Sequence, residues 1–325
     1  MPVVIDTDGG VDDAAALWWA LTDPTLEVLA ITCVWGNVDV DVAAGNVLAV
    51  LAAAGREDIP VAIGEPGPIG PTPPLDRGHH IHGEDGLGGT GRTLPADHLR
   101  RDAHALLIET VRSRPGEVSI VTVGPLSNLA RALQADPDLP QVVKELVVMG
   151  GVVEAPGNIL PSGEANIAHD PTAAALVVAA DWPSPPLLVG LDVTMVATLS
   201  PAELDLAAEA RTPAAAFLSA PLEHYRHRGG AATGDDSPCH DLVAVLALAT
   251  DDVVTHAPVL PLAVDAGGGP AWGTTVADRR AVQEGGAPPG FTPWQVALGV
   301  DVGAFRAHVG RLLGGEFTRW KRPEH

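Results

Sequence analysis

A chain of 325 residues, 46% of them hydrophobic, can bury a large core as one α/β domain or two smaller ones, which excludes a disordered chain. Its formal charge of −22 repels phosphate backbones and anionic lipid, so nucleic acid and membrane surfaces are poor partners, and metal cations and neutral small molecules remain. Cys33 and Cys239 are the only cysteines and make neither a zinc spacing nor a disulfide framework; with no membrane-length apolar run and no signal-peptide pattern ahead of Asp6, a soluble cytoplasmic protein is expected.

Short β-branched runs alternate with longer Ala/Leu-rich runs of helical period, as in a mostly parallel sheet wrapped by helices. Val3–Asp6 reads as a buried strand, Asp12–Leu21 as a helix, Leu26–Val34 as a strand, Val40–Ala54 as a helix and Val61–Ile63 as a third strand. Residues 64–92, rich in Gly, Pro and His, form a connection far longer than usual and are expected to be a mobile active-site flap. The alternation resumes with a helix at Ala103–Arg114, a strand at Val118–Val123, a helix at Pro125–Gln134 and a strand at Glu145–Met149. After an irregular stretch from Gly150 to His169 come a helix at Pro171–Ala180, a strand near Pro186–Val189, and helices at Pro201–Ala210, Pro213–Arg228 and Asp241–Ala249. The C-terminal third is less regular. No linker, composition break or repeat divides the chain, so residues 1–325 are expected to form a single Rossmann-like α/β domain.

The segment Ile5-Asp6-Thr7-Asp8-Gly9-Gly10-Val11-Asp12-Asp13 crowds four carboxylates into a strand-to-helix turn. Like charges at that spacing raise one another's pKa, and a structure that concentrates them usually supplies a cation. Oxygen-only ligands select Ca²⁺ or Mg²⁺ over zinc. An acidic helix N-terminus would account for Asp12 and Asp13 alone. The end of a strand is also where open α/β sheets bind ligands.

This segment closely resembles the DTDPGxDDA motif that opens the inosine-uridine-preferring nucleoside hydrolase family. Further stretches agree in the family's order: Trp35-Gly-Asn37, the loop from His82 to Gly88, Val123-Gly-Pro-Leu-Ser-Asn128, Met149-Gly-Gly, Asn158 with Glu164-Ala-Asn166, and His240-Asp241. The resemblance implies a Ca²⁺-dependent enzyme that hydrolyses the N-glycosidic bond of ribonucleosides to ribose and free base. It assigns Asp8, Asp13, Asp241 and the main-chain carbonyl of Val123 to the metal. Asp8 is implied as general base on the attacking water and His240 as the acid for the leaving group. Asp12, Asn37, Asn158, Glu164 and Asn166 are implied as ribose ligands, His82 as a contact to the base, Asp6 as a support for its neighbours, and a homodimer or homotetramer as the assembly.

Read without the family, Asp241 is an ordinary N-cap and Asn37 and Asn158, each beside a glycine, are turn residues. Trp272, Tyr225 and His227 are read as core before base pocket. Two departures stand out: Gly9 occupies the place of the family's usual proline, which is expected to loosen the turn, and Ala165 replaces a frequent aromatic. The rival readings are a Mg²⁺-dependent phosphotransferase of haloacid dehalogenase-like type, on Asp6-Thr-Asp8 and Gly234-Asp235, and a non-catalytic nucleoside-binding protein. Against the first, Lys144 is the only lysine before Lys321. Against the second, both Asp8 and His240 are retained.

Overall fold

The structure, a computed structural model, describes residues 1–229, 236–280 and 287–314, without the side chains of 227–229. Its elements in order are β1 (Pro2–Thr7), α1 (Val11–Thr22), β2 (Glu27–Cys33), α2 (Val40–Ala54), β3 (Val61–Ile63), α3 (His79–His82), α4 (Ala103–Ser113), β4 (Ser119–Thr122), α5 (Ser127–Ala135) and β5 (Leu146–Met149). They continue with α6 (Ala165–His169), α7 (Pro171–Val178), β6 (Leu187–Val189), α8 (Leu191–Thr194), β7 (Thr198–Leu199), α9 (Pro201–Glu209), α10 (Pro213–Gly229) and β8 (Ser237–Pro238). The last are α11 (His240–Ala249), β9 (Val254–His256), β10 (Val259–Val264), β11 (Thr275–Ala277), β12 (Thr292–Val296), β13 (Gly299–Val300) and α12 (Val302–Leu313).

Nine strands make one sheet in the order β11-β10-β12-β6-β5-β4-β1-β2-β3, parallel from β12 to β3 and antiparallel where β10 joins β12 and β11. Along β1, Val3 and Ile5 enter the core under α1, α2 and α11, while Val4 enters the opposite core under α4, α5 and α7. A strand covered on both faces has no solvent side, which is why β1 reads as unbroken apolar sequence rather than alternation. The chain runs outward from β1 through β2 to β3, then returns to lay β4 on the other side of β1. That reversal opens a crevice at the carboxyl ends of β1 and β4, the place where open α/β sheets hold ligands.

The alternation expected from the sequence is present, with ends displaced by a residue or two. The C-terminal third is more regular than expected, since it supplies β10, β11 and β12 of the main sheet and α12. Long stretches of the 64–92 loop are tied down. Leu87 is fully buried, and the Asp85 carboxylate accepts the N–H groups of Leu87, Gly89 and Gly91 at 2.8–2.9 Å. Just beyond, Arg92 donates to the carbonyls of Phe217 and Ala216 in α10. Pro221 has no N–H to give the carbonyl four residues back, so the guanidinium satisfies a group that the helix cannot. Among the described residues no helix is long and apolar enough to cross a membrane.

Candidate active site

Asp8 follows β1 directly and is pressed between two other strand ends. A Cβ on Gly36, beyond β2, would lie 2.0 Å from Asp8 Oδ2, and one on Gly124, beyond β4, would lie 3.0 Å from Asp8 Cβ. Only glycine fits at either place. Asn37 then grips the carboxylate, with its backbone N–H 2.8 Å from Oδ2 and its side-chain amide 3.0 Å from Oδ1. Asp13 organises the turn itself by accepting the backbone N–H groups of Asp8 at 3.2 Å and Gly10 at 2.8 Å and the hydroxyl of Thr7.

Gly9 sits at φ +71°, in the left-handed region, and an added Cβ would come within 2.6 Å of Ala43 Cα in α2. The turn is therefore tightly seated against α2 rather than loosened. Its carbonyl accepts from Asn46 Nδ2 at 2.8 Å, and the same amide holds the carbonyl of Asp85 at 2.8 Å.

Asp12, Asp13 and Asp241 bring carboxylate oxygens within 4.8 Å of one another, all buried. The sequence reading gave this third place to Asp8 and gave Asp12 to the sugar; the structure shows Asp12 in the tightest group and Asp8 held by Asn37 beside it. Burial and the charges of Asp12, Asp13 and Asp8 raise Asp241 well above the carboxylate range. Burial and Asp13 raise Asp8 likewise, and the same causes lift Asp12 to about 7 despite the backbone N–H groups of Asp241 and His240. Among the described residues no lysine or arginine forms an ion pair with the cluster, and the basic side chain beside it, His82, is neutral, with Nδ1 3.9 Å from Asp12 Oδ1. Four buried carboxylates without lysine or arginine are a donor set of hard oxygens that fits a divalent cation.

Asp6, expected to support its neighbours, is held by other elements instead of touching the group. Its Oδ1 accepts from Thr32 at 2.5 Å and Asn128 at 2.7 Å, Oδ2 has no partner, and burial raises its pKa to about 7. On the β4–β5 side, Asn166 Nδ2 bridges the carbonyls of Val123 and Met149, each at 3.2 Å, so the carbonyl expected to face the metal is engaged by an amide expected to face the sugar. Glu164 caps α6, accepting from the N–H groups of Gly151, Asn166 and Ile167, and burial lifts it to about 7. Asn158 stands exposed on the outer rim and accepts from Ala165 N–H at 3.0 Å.

His82 is buried. Its Nδ1 accepts the Val11 N–H at the start of α1 at 3.2 Å, its ring lies 5.1 Å from that of Tyr225, and burial beside His240 and His224 pushes its pKa down to about 3. His240 is half-buried, with Nδ1 2.7 Å from Thr194 Oγ1, and burial lowers it to about 4. Trp272 lines a separate cleft of about 630 Å³ with Leu160 and Pro161. The side chain of His227, and Gly234 and Asp235, lie outside the described residues.

Sequence reasoning passed over three residues that build the site. Asn46 was visible as an amide inside the apolar run of α2. Asp192 accepts from the N–H groups of Val153, Glu154 and Ala155 and so anchors the loop leading to Asn158. Thr194 holds His240.

A doubly wound sheet with a buried carboxylate group able to hold a cation at its switch point is the arrangement of an α/β enzyme. The family model for "Inosine-uridine preferring nucleoside hydrolase" matches residues 3–307. The chain is 33% identical to uridine nucleosidase 1 of Arabidopsis thaliana over 92% of this chain and 89% of that one. It is 36% identical to the non-specific ribonucleoside hydrolase RihC of Salmonella newport over 96% and 97%. Among solved structures it superposes on the plant nucleoside hydrolase PpNRh1 with a TM-score of 0.87 at 31% identity, over 96% of this chain and 98% of that one. This chain belongs to the inosine-uridine preferring nucleoside hydrolase family. It is thus a glycosidase that hydrolyses nucleosides, and the phosphotransferase reading falls away.

Proposed function

We propose that this protein cleaves the N-glycosidic bond of ribonucleosides in a Ca²⁺-dependent manner, releasing ribose and free base. The observation that carries the proposal is the carboxylate group Asp8, Asp12, Asp13 and Asp241, buried at the switch point without an arginine or lysine among the described residues. Asp13 and Asp241 are the constant ligands, joined by Asp8 or Asp12 and by the Val123 carbonyl. When bound, Ca²⁺ supplies the charge that lets these groups ionise together and gives sugar hydroxyls and water an oxygen-rich shell to enter.

The chain's own groups do the rest. Asp8, its carboxylate gripped by Asn37, is the base that takes a proton from the attacking water. Asp12, Asn37, Glu164, Asn166 and the rim residue Asn158 read the ribose, and a site built to pair hydroxyls rejects a 2′-deoxy sugar. His240 is the donor to the departing base, and His82 is a contact to that base. The two cysteines, free and buried, suit a reducing cytoplasm, and a homodimer or homotetramer is the proposed assembly.

The test is release of ribose from uridine, cytidine, inosine, adenosine and p-nitrophenyl riboside, with and without chelator. Turnover that a chelator abolishes and Ca²⁺ restores is expected, and Asp8→Ala should remove activity on every substrate. Silence on all five compounds, or turnover indifferent to chelator, refutes the proposal.

A further inference from the structure

A histidine presents either an N–H or a lone pair to its substrate, depending on which ring nitrogen holds the hydrogen. Nδ1 of His240 lies 2.7 Å from the Thr194 hydroxyl, and among the described residues no hydrogen bond is made by Nε2. Thr194 is completely buried, and His240 is the only partner of its Oγ1 among the described residues. A buried hydroxyl hydrogen without an acceptor costs roughly 1–3 kcal/mol, so the Thr194 O–H donates to Nδ1 whenever the ring is neutral. The ring's own hydrogen then resides on Nε2.

We infer that Thr194 is a positioning residue that keeps the hydrogen of His240 on Nε2, so that an N–H and never a lone pair meets the departing base. The inference rests on the leaving-group role proposed for His240. As the C1′–N bond breaks, its electron pair goes to the base, and the Nε2–H donates a hydrogen bond to the negative charge that develops there. The imidazole keeps its hydrogen, and the released base is protonated by solvent. Without the hydroxyl, the neutral ring can place its hydrogen on Nδ1 and turn a repelling lone pair on the base.

The support beneath Thr194 is rigid. It ends α8, whose Leu191 and Val193 are buried. Leu191 N–H bonds the carbonyl of Gly151 at 2.9 Å, while the Asp192 carboxylate accepts three consecutive N–H groups from Val153 to Ala155. This one short helix therefore fixes both the histidine and the start of the loop that carries Asn158.

The experiment measures kcat for uridine and for p-nitrophenyl riboside, whose leaving group needs no donor, in the parent and in Thr194→Val, Thr194→Ser and His240→Ala. Thr194→Val keeps the volume and removes the hydroxyl. It should lower kcat on uridine about tenfold or more while slowing p-nitrophenyl riboside far less, and Thr194→Ser should recover most of the loss. Equal slowing of both substrates by Thr194→Val, or no slowing, overturns the inference. If His240→Ala separates the two substrates and Thr194→Val does not, only the role of Thr194 fails; if His240→Ala does not separate them, the leaving-group role fails first. Nitrogen-15 spectra of the parent give a reading without turnover: a lone-pair Nδ1 on His240 is expected, and a hydrogen-bearing Nδ1 in the neutral ring contradicts the inference.

Discussion

Replacing Gly9 by proline, the residue its relatives in motif usually carry there, should damage this protein rather than restore it. The backbone at Gly9 stands at φ +71°, whereas the proline ring holds φ near −65°, so the turn cannot accept it without rebuilding. Holding any L-residue in the left-handed region costs about 1–2 kcal/mol. The added Cβ would stand 2.6 Å from Ala43 Cα, and overpacking of this kind costs about 1–3 kcal/mol more. Proline also deletes the N–H that Gly9 gives to Thr7 Oγ1 at 3.2 Å. Roughly 3 kcal/mol of lost stability is expected, or a fall in Tm of about 4–5 °C for a domain of 325 residues. Gly9→Ala shares the Cβ but keeps the N–H and should fall between proline and parent. Thermal unfolding followed by circular dichroism gives the ranking, and calorimetric titration with Ca²⁺ shows whether the displaced Asp8 and Asp13 still bind. A Gly9→Pro protein as stable and as avid for Ca²⁺ as the parent would refute the reasoning.

Two further outcomes follow from the geometry. Asp6, Asp12 and Glu164 have folded pKa values raised to about 7, so each favours the fold in its protonated form, and that stability is lost as pH rises through 7. In chelator, Tm should therefore fall between pH 5 and pH 8, and added Ca²⁺ should raise it more at pH 8 than at pH 5; a flat or rising profile in chelator counts against this. Arg92→Ala should leave the Phe217 carbonyl unpaired at Pro221, costing about 1 kcal/mol and speeding hydrogen exchange across residues 82–94, and unchanged exchange would mean that the loop is held by Leu87 and Asp85 alone.

The helical layers and parallel strands were legible because their signals are local: unbroken Val/Ile runs for strands buried on both faces, and Ala/Leu periodicity between them. The last strands were not, since Pro261 in β10 faces Pro293 in β12, and proline argues against an interior strand. The pair is tolerated because it takes a non-hydrogen-bonding place between β10 and β12: Pro261 turns its backbone to the β11 side, where its carbonyl accepts the Asp278 N–H at 2.8 Å. Short helices such as α8 carry too few residues to show a period, which is why Asp192 and Thr194 went unread. Within the site, the motif residues around Asp8, Asp13 and Asp241 could be seen in the chain. Which of Asp8 and Asp12 joins the tightest oxygen group could not, because it depends on Asn37 arriving from beyond β2. Nor could the difference between a loose and a seated Gly9, which Ala43 decides from α2.

The lodging of Asp8 between Gly36 and Gly124 also limits how this enzyme can diverge. Three chain segments far apart in sequence meet at one carboxylate with no spare volume, so a change at any of them demands simultaneous changes at the others. Change is absorbed more easily at the rim, where Asn158 is exposed and Ala165 half-buried and one side chain can alter without moving these three segments.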